Sequence, residues 1–328
     1  MLWVDLFSVA NARPHCALAF DLGGTKVRAG LFEGETLLRR ASANTDVTNG
    51  PAGILDQFEA LFMDVSQGIS NDGIAGIGLA SAGPIDTVEG TVPGIPTIPG
   101  LENFAIREAL SARLGQPVLV ENDAIAAAYG EWQFGAGQGL DNLVYLTVSS
   151  GIGGGAVVDG RLLHGHKGMA GHVGHLRLKL DGPRCLCGAN GCFEAIASGN
   201  ALGGRARQAV ETDLTGYLGA TAKSSKVSAK DVFDGARLGD AQCLSLVDEE
   251  ARYLGHGIVS LIHIFSPERV ILGGGVSNAF DLLEPVIHSI IRTNAVGPFR
   301  DVKVVQAALG DNSGLVGAAA LVLAKESA

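Results

Sequence analysis

Three cysteines and a histidine lie close together between residues 168 and 194, among several glycines. Thiolates and imidazoles are ligands that zinc prefers, and four protein ligands make a closed, structural site. The whole chain has five cysteines, so this local density favours a metal over a group of buried thiols, and an odd cluster disfavours disulfides. The sequence therefore predicts a structural zinc loop over residues 168–194. The predicted ligands are His175, Cys185, Cys187 and Cys192.

Two glycine-rich turns follow apolar strands, at residues 21–26 and 149–155. The first lacks the spacing of a Walker loop, and no helix opens after the second as a dinucleotide turn requires. Amides in such hairpins can still bind phosphate oxygens, and Asp21 is placed to hold Mg²⁺; an ordinary hairpin is the alternative. The predicted phosphate and Mg²⁺ residues are Asp21, Gly23, Gly24, Thr25, Lys26, Ser150, Gly151 and Gly153.

A third glycine run, at residues 273–275, follows a buried strand and precedes a helix. Without side chains, Gly274 and Gly275 can accept the flat face of a purine or a ribose. A tight strand-to-helix turn would need the same residues, and the sequence does not separate the two interpretations.

The segment Val120 to Asp123 ends one strand and opens a helix. Asn122 or Asp123 at that position can simply cap the helix by accepting free amides. A carboxylate at the mouth of a cleft can also accept a hydroxyl proton during phosphoryl transfer. The second interpretation requires the glycine turns and the cysteine loop to converge on Asp123.

The secondary-structure elements that position these residues are predicted to form two similar α/β units. A strand, a glycine turn and another strand occur at Asp21 and again at Ser150, where Gly151–Gly155 is predicted to form the turn. This weak repeat suggests two lobes that face each other across a cleft. The predicted parts are an N-terminal extension (1–15), a small lobe (16–135), a larger lobe (136–313) and a closing helix (314–326) that packs back on the small lobe.

The composition is that of a folded, acidic protein. Of 328 residues, 47% are hydrophobic, and the formal net charge is −10. This balance disfavours a broad nucleic-acid surface and attraction to anionic membranes. Residues 1–15 do not resemble a signal peptide, since Asp5 interrupts their apolar part, and no apolar run approaches spanning length. We therefore expect a cytoplasmic protein without nucleic-acid or membrane partners.

Taken together, the motifs resemble those of the ROK family of bacterial sugar kinases and repressors, from about residue 16 onwards. The resemblance is carried by Asp21-Leu-Gly-Gly-Thr-Lys, Glu121-Asn-Asp-Ala, Ser150-Gly-Ile-Gly-Gly-Gly, the Gly-His pair ending at His175, and Cys185-x-Cys-Gly-x-x-Gly-Cys-x-Glu194. It implies an α/β, two-lobed, actin-like and ribonuclease H-like fold. It also implies phosphorylation of a hexose from ATP with Mg²⁺, and a homodimer or homotetramer.

The resemblance also implies roles for individual residues. Asp123 matches the base that takes the proton from the sugar 6-hydroxyl. Asn122, His175 and Glu194 match groups that hold the sugar hydroxyls, with one ring nitrogen of His175 on zinc and the other towards the sugar. Gly83 and His172 complete the expected sugar site, and the glycine turns match the phosphate loops.

One departure bears on the substrate. Most kinases of the family have Glu-x-Gly-His, whereas this chain has His172-Val-Gly-His175. This segment and the residues around the cysteines are similar to those of bacterial N-acetylmannosamine kinases, so we expect N-acetylmannosamine ahead of other hexoses and a role in sialic acid catabolism. The alternatives are a kinase for glucose or N-acetylglucosamine, a sugar-responsive repressor, for which only a short segment precedes Cys16, and a catalytically inactive sensor.

Overall fold

The computed structural model describes residues 16–95 and 98–326, so the predicted extension at 1–15 lies outside the described residues. It is a mixed α/β structure built on two five-stranded sheets. The first sheet has the order β3-β2-β1-β4-β5, with β1 antiparallel to β2 and parallel to β4. Its strands are β1 (Cys16–Leu22), β2 (Lys26–Glu33), β3 (Thr36–Asn44), β4 (Ile74–Ser81) and β5 (Val118–Asn122).

The second sheet repeats this plan with the order β10-β9-β6-β7-β8. Its first strand is again antiparallel to the next strand along the chain and parallel to the one that follows a helical segment. The predicted internal repeat is therefore confirmed at the level of topology. The strands are β6 (Leu143–Val148), β7 (Ile152–Val158), β8 (Arg161–Leu162), β9 (Arg269–Gly273) and β10 (Lys303–Gln306).

The α-helices of the described residues fill the connections between strands. The longest, at 241–265, has these bounds because Asp240 caps its first turn and Ser266 ends it in the left-handed conformation. They are α1 (Gly50–Val65), α2 (Ile106–Leu114), α3 (Asp123–Phe134), α4 (Phe193–Ala197), α5 (Gly199–Thr212), α6 (Gly216–Ala222), α7 (Ala229–Arg237), α8 (Ala241–Phe265), α9 (Phe280–Asn294) and α10 (Ser313–Glu326).

The prediction that Gly151–Gly155 forms a turn is wrong for most of that segment. Residues 152–155 belong to β7, and only the preceding residues turn. The glycines are needed because α3 packs directly on this strand: a Cβ on Gly155 would lie 2.6 Å from that of Ala128, and one on Gly153 would lie 3.1 Å from that of Ala124. The glycine run thus allows close helix–sheet packing.

Each sheet has its own hydrophobic core, one around β1, β4, α1 and α2 and the other around β6, β9, α8 and α9. Helix α10 packs on β1, β4 and α3. These contacts support our proposal that α10 returns to the small lobe. Helix α3 also packs on β7 of the second sheet, and the division of the chain near residue 135 stays a prediction. None of the helices in the described ranges is long and apolar enough to cross a membrane.

Candidate active site

The N-terminus of α3 carries the proposed base. Asn122 caps the helix, since its Oδ1 accepts hydrogen bonds from the amides of Ala124 (3.0 Å) and Ile125 (3.2 Å). Its Nδ2 donates to the carbonyl of Gly83 at 3.0 Å, which brings the end of β4 to the same point. The cap leaves the Asp123 carboxylate free to accept one bond from Ala124, and the positive end of the helix lies beneath it. Capping and a chemical role are therefore compatible.

The Asp123 carboxylate lies in a desolvated position close to a second carboxylate. Burial and the charge of Asp21 raise the pKa of Asp123 to about 7. A carboxyl with that pKa is suited to accept a proton near neutral pH. The nearby Asp21, at the end of β1, provides the oxygen ligands that Mg²⁺ prefers, so the pair fits the acid–metal arrangement expected from the sequence.

Arg28 is a site residue that the sequence reading missed. Its Nη1 lies 2.6 Å from Oδ2 of Asp21, and the two residues are paired directly across β1 and β2. Burial raises the pKa of Asp21, and the Arg28 guanidinium opposes that rise. The register of the predicted hairpin could have identified Arg28 as the partner of Asp21. Two antiparallel strands joined by a short turn place Asp21 directly opposite Arg28.

The first glycine turn connects β1 to β2. The amide of Gly23 donates to the carbonyl of Lys26 at 2.9 Å, and Thr45 fixes the turn by donating from its hydroxyl to the carbonyl of Gly23 at 2.7 Å. Thr25 and Lys26 are exposed and Gly24 is half-buried, so this edge offers donors for phosphate oxygens.

The second turn lies between β6 and β7 and contacts the cysteine loop. The amide of Ser149 donates to the carbonyl of Gly151 at 2.9 Å, and Ser150 is exposed at the tip. Oε2 of Glu194 accepts the amide of Ile152 at 3.0 Å, so the predicted sugar ligand is held against the predicted phosphate turn. Gly153 lies within β7 and packs under α3, away from the tip.

Gly151→Ala is expected to raise the KM for the sugar about tenfold, or about 1.4 kcal/mol. A Cβ at this position would overlap the Glu194 carboxylate and displace it. The measurement is steady-state kinetics at saturating ATP. Gly297→Ala is the matched control, because a Cβ there meets nothing within 4 Å. An unchanged KM for Gly151→Ala would contradict the placement of Glu194 in the site.

The third glycine run begins where β9 ends. Gly274 has a φ of +81°, and a Cβ there would collide with the carbonyl of Val148 at the end of β6. Gly275 opens a short 3₁₀ turn, and a Cβ there would meet only the hydroxyl of Ser149 at 3.9 Å. Gly274 is therefore required by the tight strand-to-helix turn, whereas the backbone at Gly275 is open towards the second turn, as the predicted nucleoside contact requires.

The predicted metal ligands come together. One donor atom from each of His175, Cys185, Cys187 and Cys192 lies within 4.8 Å of the others. The Cys187 and Cys192 sulfurs are 3.6 Å apart, and the Cys185 sulfur is 3.8 Å from Nδ1 of His175. These separations fit tetrahedral coordination with metal–sulfur bonds of about 2.3 Å. The donor set can hold a thiophilic cation such as zinc.

The cluster is connected to two of the predicted sugar ligands, His175 and Glu194. Nδ1 of His175 faces the thiols, which leaves Nε2 for another partner. Oε1 of Glu194 lies 3.8 Å from the Cys185 sulfur, and Glu194 follows Cys192 by two residues in α4. The rings of His172 and His175 are stacked with centroids 6.4 Å apart. A cation in the cluster would therefore fix the geometry of these side chains.

The cysteine loop also reaches α3. Gly171 has a φ of +80°. A Cβ added to it would collide with the carbonyl oxygen of Gly154 and would lie 3.6 Å from the Ile125 side chain. The loop with His172 and His175 thus starts beside the first turn of the helix that carries Asp123. The described fold brings together the desolvated Asp123 carboxylate, a second carboxylate from Asp21, two glycine turns and a histidine pair, which is a constellation suited to phosphoryl transfer to a hydroxyl.

Comparison with known proteins agrees with this arrangement. Residues 17–325 match the model of the ROK family. The chain is 36% identical over 312 residues to a glucokinase from Thermotoga maritima, covering 93% of this chain and 96% of that protein. It is 31% identical over 302 residues to an N-acetylmannosamine kinase from Yersinia pseudotuberculosis, covering 92% and 96%.

A solved structure extends the likeness to the fold. The crystal structure of a ROK family glucokinase from Streptomyces griseus, in complex with glucose and AMPPNP, has a TM-score of 0.84 and 35% identity. The alignment covers 93% of this chain and 98% of that one. With a family model that spans nearly all of its length, this chain belongs to the ROK family.

Proposed function

We propose that this protein phosphorylates the 6-hydroxyl of N-acetylmannosamine with ATP and Mg²⁺, giving N-acetylmannosamine 6-phosphate and ADP. The observation that carries the reaction type is the Asp123 carboxyl, whose pKa is raised to about 7 by burial first and then by the charge of Asp21. Relatives named as glucokinases and N-acetylmannosamine kinases support a hexose kinase. Family membership alone does not choose between these sugars.

In the proposed reaction, Asn122, Glu194 and His175 hold the sugar so that its 6-hydroxyl meets the Asp123 carboxylate. Asp123 takes the hydroxyl proton as the sugar oxygen bonds to the γ-phosphorus, and the bond to the bridging oxygen breaks to release ADP. Amides of the two glycine turns and the Lys26 ammonium bind the phosphate oxygens. Asp21 would hold Mg²⁺, which neutralises charge on the transferring group when bound.

His172 carries the choice of N-acetylmannosamine. Burial, and then the nearby His175, lower the pKa of His172, so its imidazole is neutral at pH 7. A neutral imidazole can donate one hydrogen bond and accept another, whereas a glutamate in its place only accepts. An N-acetyl group presents both an N–H donor and a carbonyl acceptor, which supports its pairing with His172.

Glucose is the second candidate, because the Thermotoga and Streptomyces glucokinases are more similar in sequence than the Yersinia N-acetylmannosamine kinase. His172→Glu separates the two. We expect the ratio of kcat/KM for N-acetylmannosamine to that for glucose to fall about tenfold or more, since pocket changes of this kind are worth about 1–3 kcal/mol. His166→Glu adds the same charge to an exposed residue nearby and should leave the ratio unchanged. An unchanged ratio in His172→Glu would contradict the role of His172.

The same proposal includes a structural zinc ion in the Cys/His cluster, a homodimer or homotetramer in solution, and a cytoplasmic location, where ATP and reduced thiols are present. The direct test of the reaction is to incubate the protein with Mg-ATP and N-acetylmannosamine and to identify the product by ³¹P and ¹³C NMR. Phosphate on the 6-oxygen supports the proposal. A phosphate on another oxygen, or ATP hydrolysis alone, would overturn it.

A further inference from the structure

A salt bridge connects the edges of the two sheets beside the active site. Nε2 of His164, just after β8, lies 3.1 Å from Oε2 of Glu121, which is in β5. Strand β5 is at one edge of the first sheet and β8 is at one edge of the second. The Glu121 side chain is 6% exposed, while that of His164 is 46% exposed. The bridge therefore joins a buried carboxylate to a group that solvent can reach.

Glu121 transmits this contact to the catalytic segment. Its other oxygen, Oε1, accepts the amide of Asn122 at 2.8 Å. Asn122 in turn caps α3 and donates to the carbonyl of Gly83, and Asp123 is the next residue. The carboxylate of Glu121 thus lies between His164 on one side and the backbone that presents Asn122 and Asp123 on the other. Its position fixes the direction of that backbone.

On the other side, His164 belongs to a closed loop that leads to the histidine pair. We define the bridging loop as residues 163–171. The carbonyl of His164 accepts the amide of Ala170 at 2.9 Å, which closes the loop just before His172. A second bridge anchors the loop: Nζ of Lys167 lies 2.9 Å from Oδ2 of Asp86, and the amide of Thr87 donates to the Lys167 carbonyl at 3.0 Å. The loop is therefore held at two points, to Glu121 in β5 and to residues 86–87 after β4.

We propose that His164 is a positioning residue for the reaction: through Glu121 it holds the backbone of Asn122 and Asp123 in register with the loop that presents His172 and His175. This inference rests on the proposed kinase activity. Its chemistry is that of a charge-assisted hydrogen bond to a desolvated carboxylate, which is stronger than a neutral one. Removing one partner of such a pair leaves a buried charge uncompensated.

The bridge gives the site a pH dependence. The hydrogen bond and charge of Glu121 raise the pKa of His164, burial opposes the rise, and the Leu162 carbonyl adds to it. Glu121 is the charged group that faces His164. Because the folded-state pKa is raised, the stabilisation is complete below the unfolded value and is lost as pH rises through the folded value. The charged bridge is therefore strongest on the acidic side, where the Asp123 base is weakest.

The test has one readout that does not depend on activity. The imidazole resonances of the protein are titrated by NMR, and the His164 signal is identified by its loss in His164→Gln. In Glu121→Gln we expect the His164 pKa to fall towards its ordinary value. A His164 pKa that is unchanged by Glu121→Gln overturns the bridge, whether or not the protein phosphorylates any sugar.

The second readout is kinetic. We expect His164→Ala to raise the KM for the sugar about tenfold with a smaller change in kcat, in the range of a hydrogen bond to a charged group. His164→Gln keeps a hydrogen-bond donor and should recover part of this loss. In the wild-type protein we expect the KM for the sugar to rise at high pH, as His164 loses its charge. Glutamine does not titrate, so His164→Gln should not show this rise. The control is His166→Gln, an exposed residue of the same loop with no side-chain partner among the described residues.

The outcomes separate the two proposals. If the wild-type protein phosphorylates no sugar, the proposed function fails while the NMR titration still decides the bridge. A His164→Ala variant whose KM stays within twofold of wild type, with the same pH profile, overturns the positioning role. If His164→Ala does not fold, His164→Gln carries the kinetic test, and a pH profile of KM identical to that of wild type has the same meaning.

Discussion

Asp123→Asn is expected to lower kcat by about 10²–10⁴-fold, the usual contribution of a positioned base. Asparagine has nearly the same shape and preserves the bond from Ala124, but it cannot take a proton. The raised pKa also fixes the effect on stability. The folded state holds the Asp123 proton more tightly than the unfolded chain does. The free energy of unfolding therefore falls as pH rises from 3.8 to about 7, and it stays at the lower value above that range. The variant should therefore melt no lower than wild type at pH 8.

The same pKa predicts the pH profile of the wild-type enzyme. Below about pH 7 the Asp123 carboxyl is protonated, so kcat/KM should fall about tenfold for each unit of pH. Asp64→Asn, which removes an exposed carboxylate on α1, is the matched control and should retain activity. Near-normal turnover in Asp123→Asn would show that another group accepts the proton.

Cys185→Ser is expected to abolish both metal binding and sugar affinity. Cys185 is buried and contacts His175 and Glu194, the two proposed sugar ligands that flank the cluster. Wild-type protein should contain about one zinc per chain, and the variant close to none, because a hydroxyl is a poor replacement for a thiolate ligand. Without the ion the loop loses its cross-link, so we expect sugar binding to fall below detection.

Metal content by mass spectrometry and sugar binding by calorimetry check this prediction. Cys16→Ser is the control, since Cys16 is a buried thiol at the start of β1, outside the cluster. Loss of zinc with unchanged sugar affinity would show that the metal-bound loop does not position the sugar ligands. Retention of one zinc by Cys185→Ser would contradict the ligand assignment itself.

Local signals were sufficient for the parts of the fold that are decided by neighbouring residues. The bounds of α8 follow from its cap at Asp240, and the ligands His175 to Cys192 lie within one short segment. The repeat of strand, turn and strand predicted two related units, and the sheets have the same order. These features depend on spacing along the chain, which the sequence displays directly.

Contacts between distant segments were not predictable in this way. The glycines at 153–155 were interpreted as a turn because glycine favours turns. Gly153 and Gly155 instead admit α3 against β7, a contact made by residues about 30 positions earlier. Asp21 and Asp123 interact although they are more than a hundred positions apart in the sequence. Glu121, in the first sheet, contacts His164, which follows the last strand of the second hairpin. Such pairs are set by topology, so they appear only when the strand order is known.

The measurement that tests the central claim most directly is the rate of ADP release with Mg-ATP and a panel of sugars. The panel is N-acetylmannosamine, N-acetylglucosamine, glucose, mannose, fructose and allose. We expect N-acetylmannosamine to lead in kcat/KM by tenfold or more, which corresponds to about 1.4 kcal/mol in transition-state binding. A higher kcat/KM for glucose or N-acetylglucosamine would contradict the substrate preference that we attribute to His172. No ADP release with any sugar of the panel would contradict the proposed kinase activity.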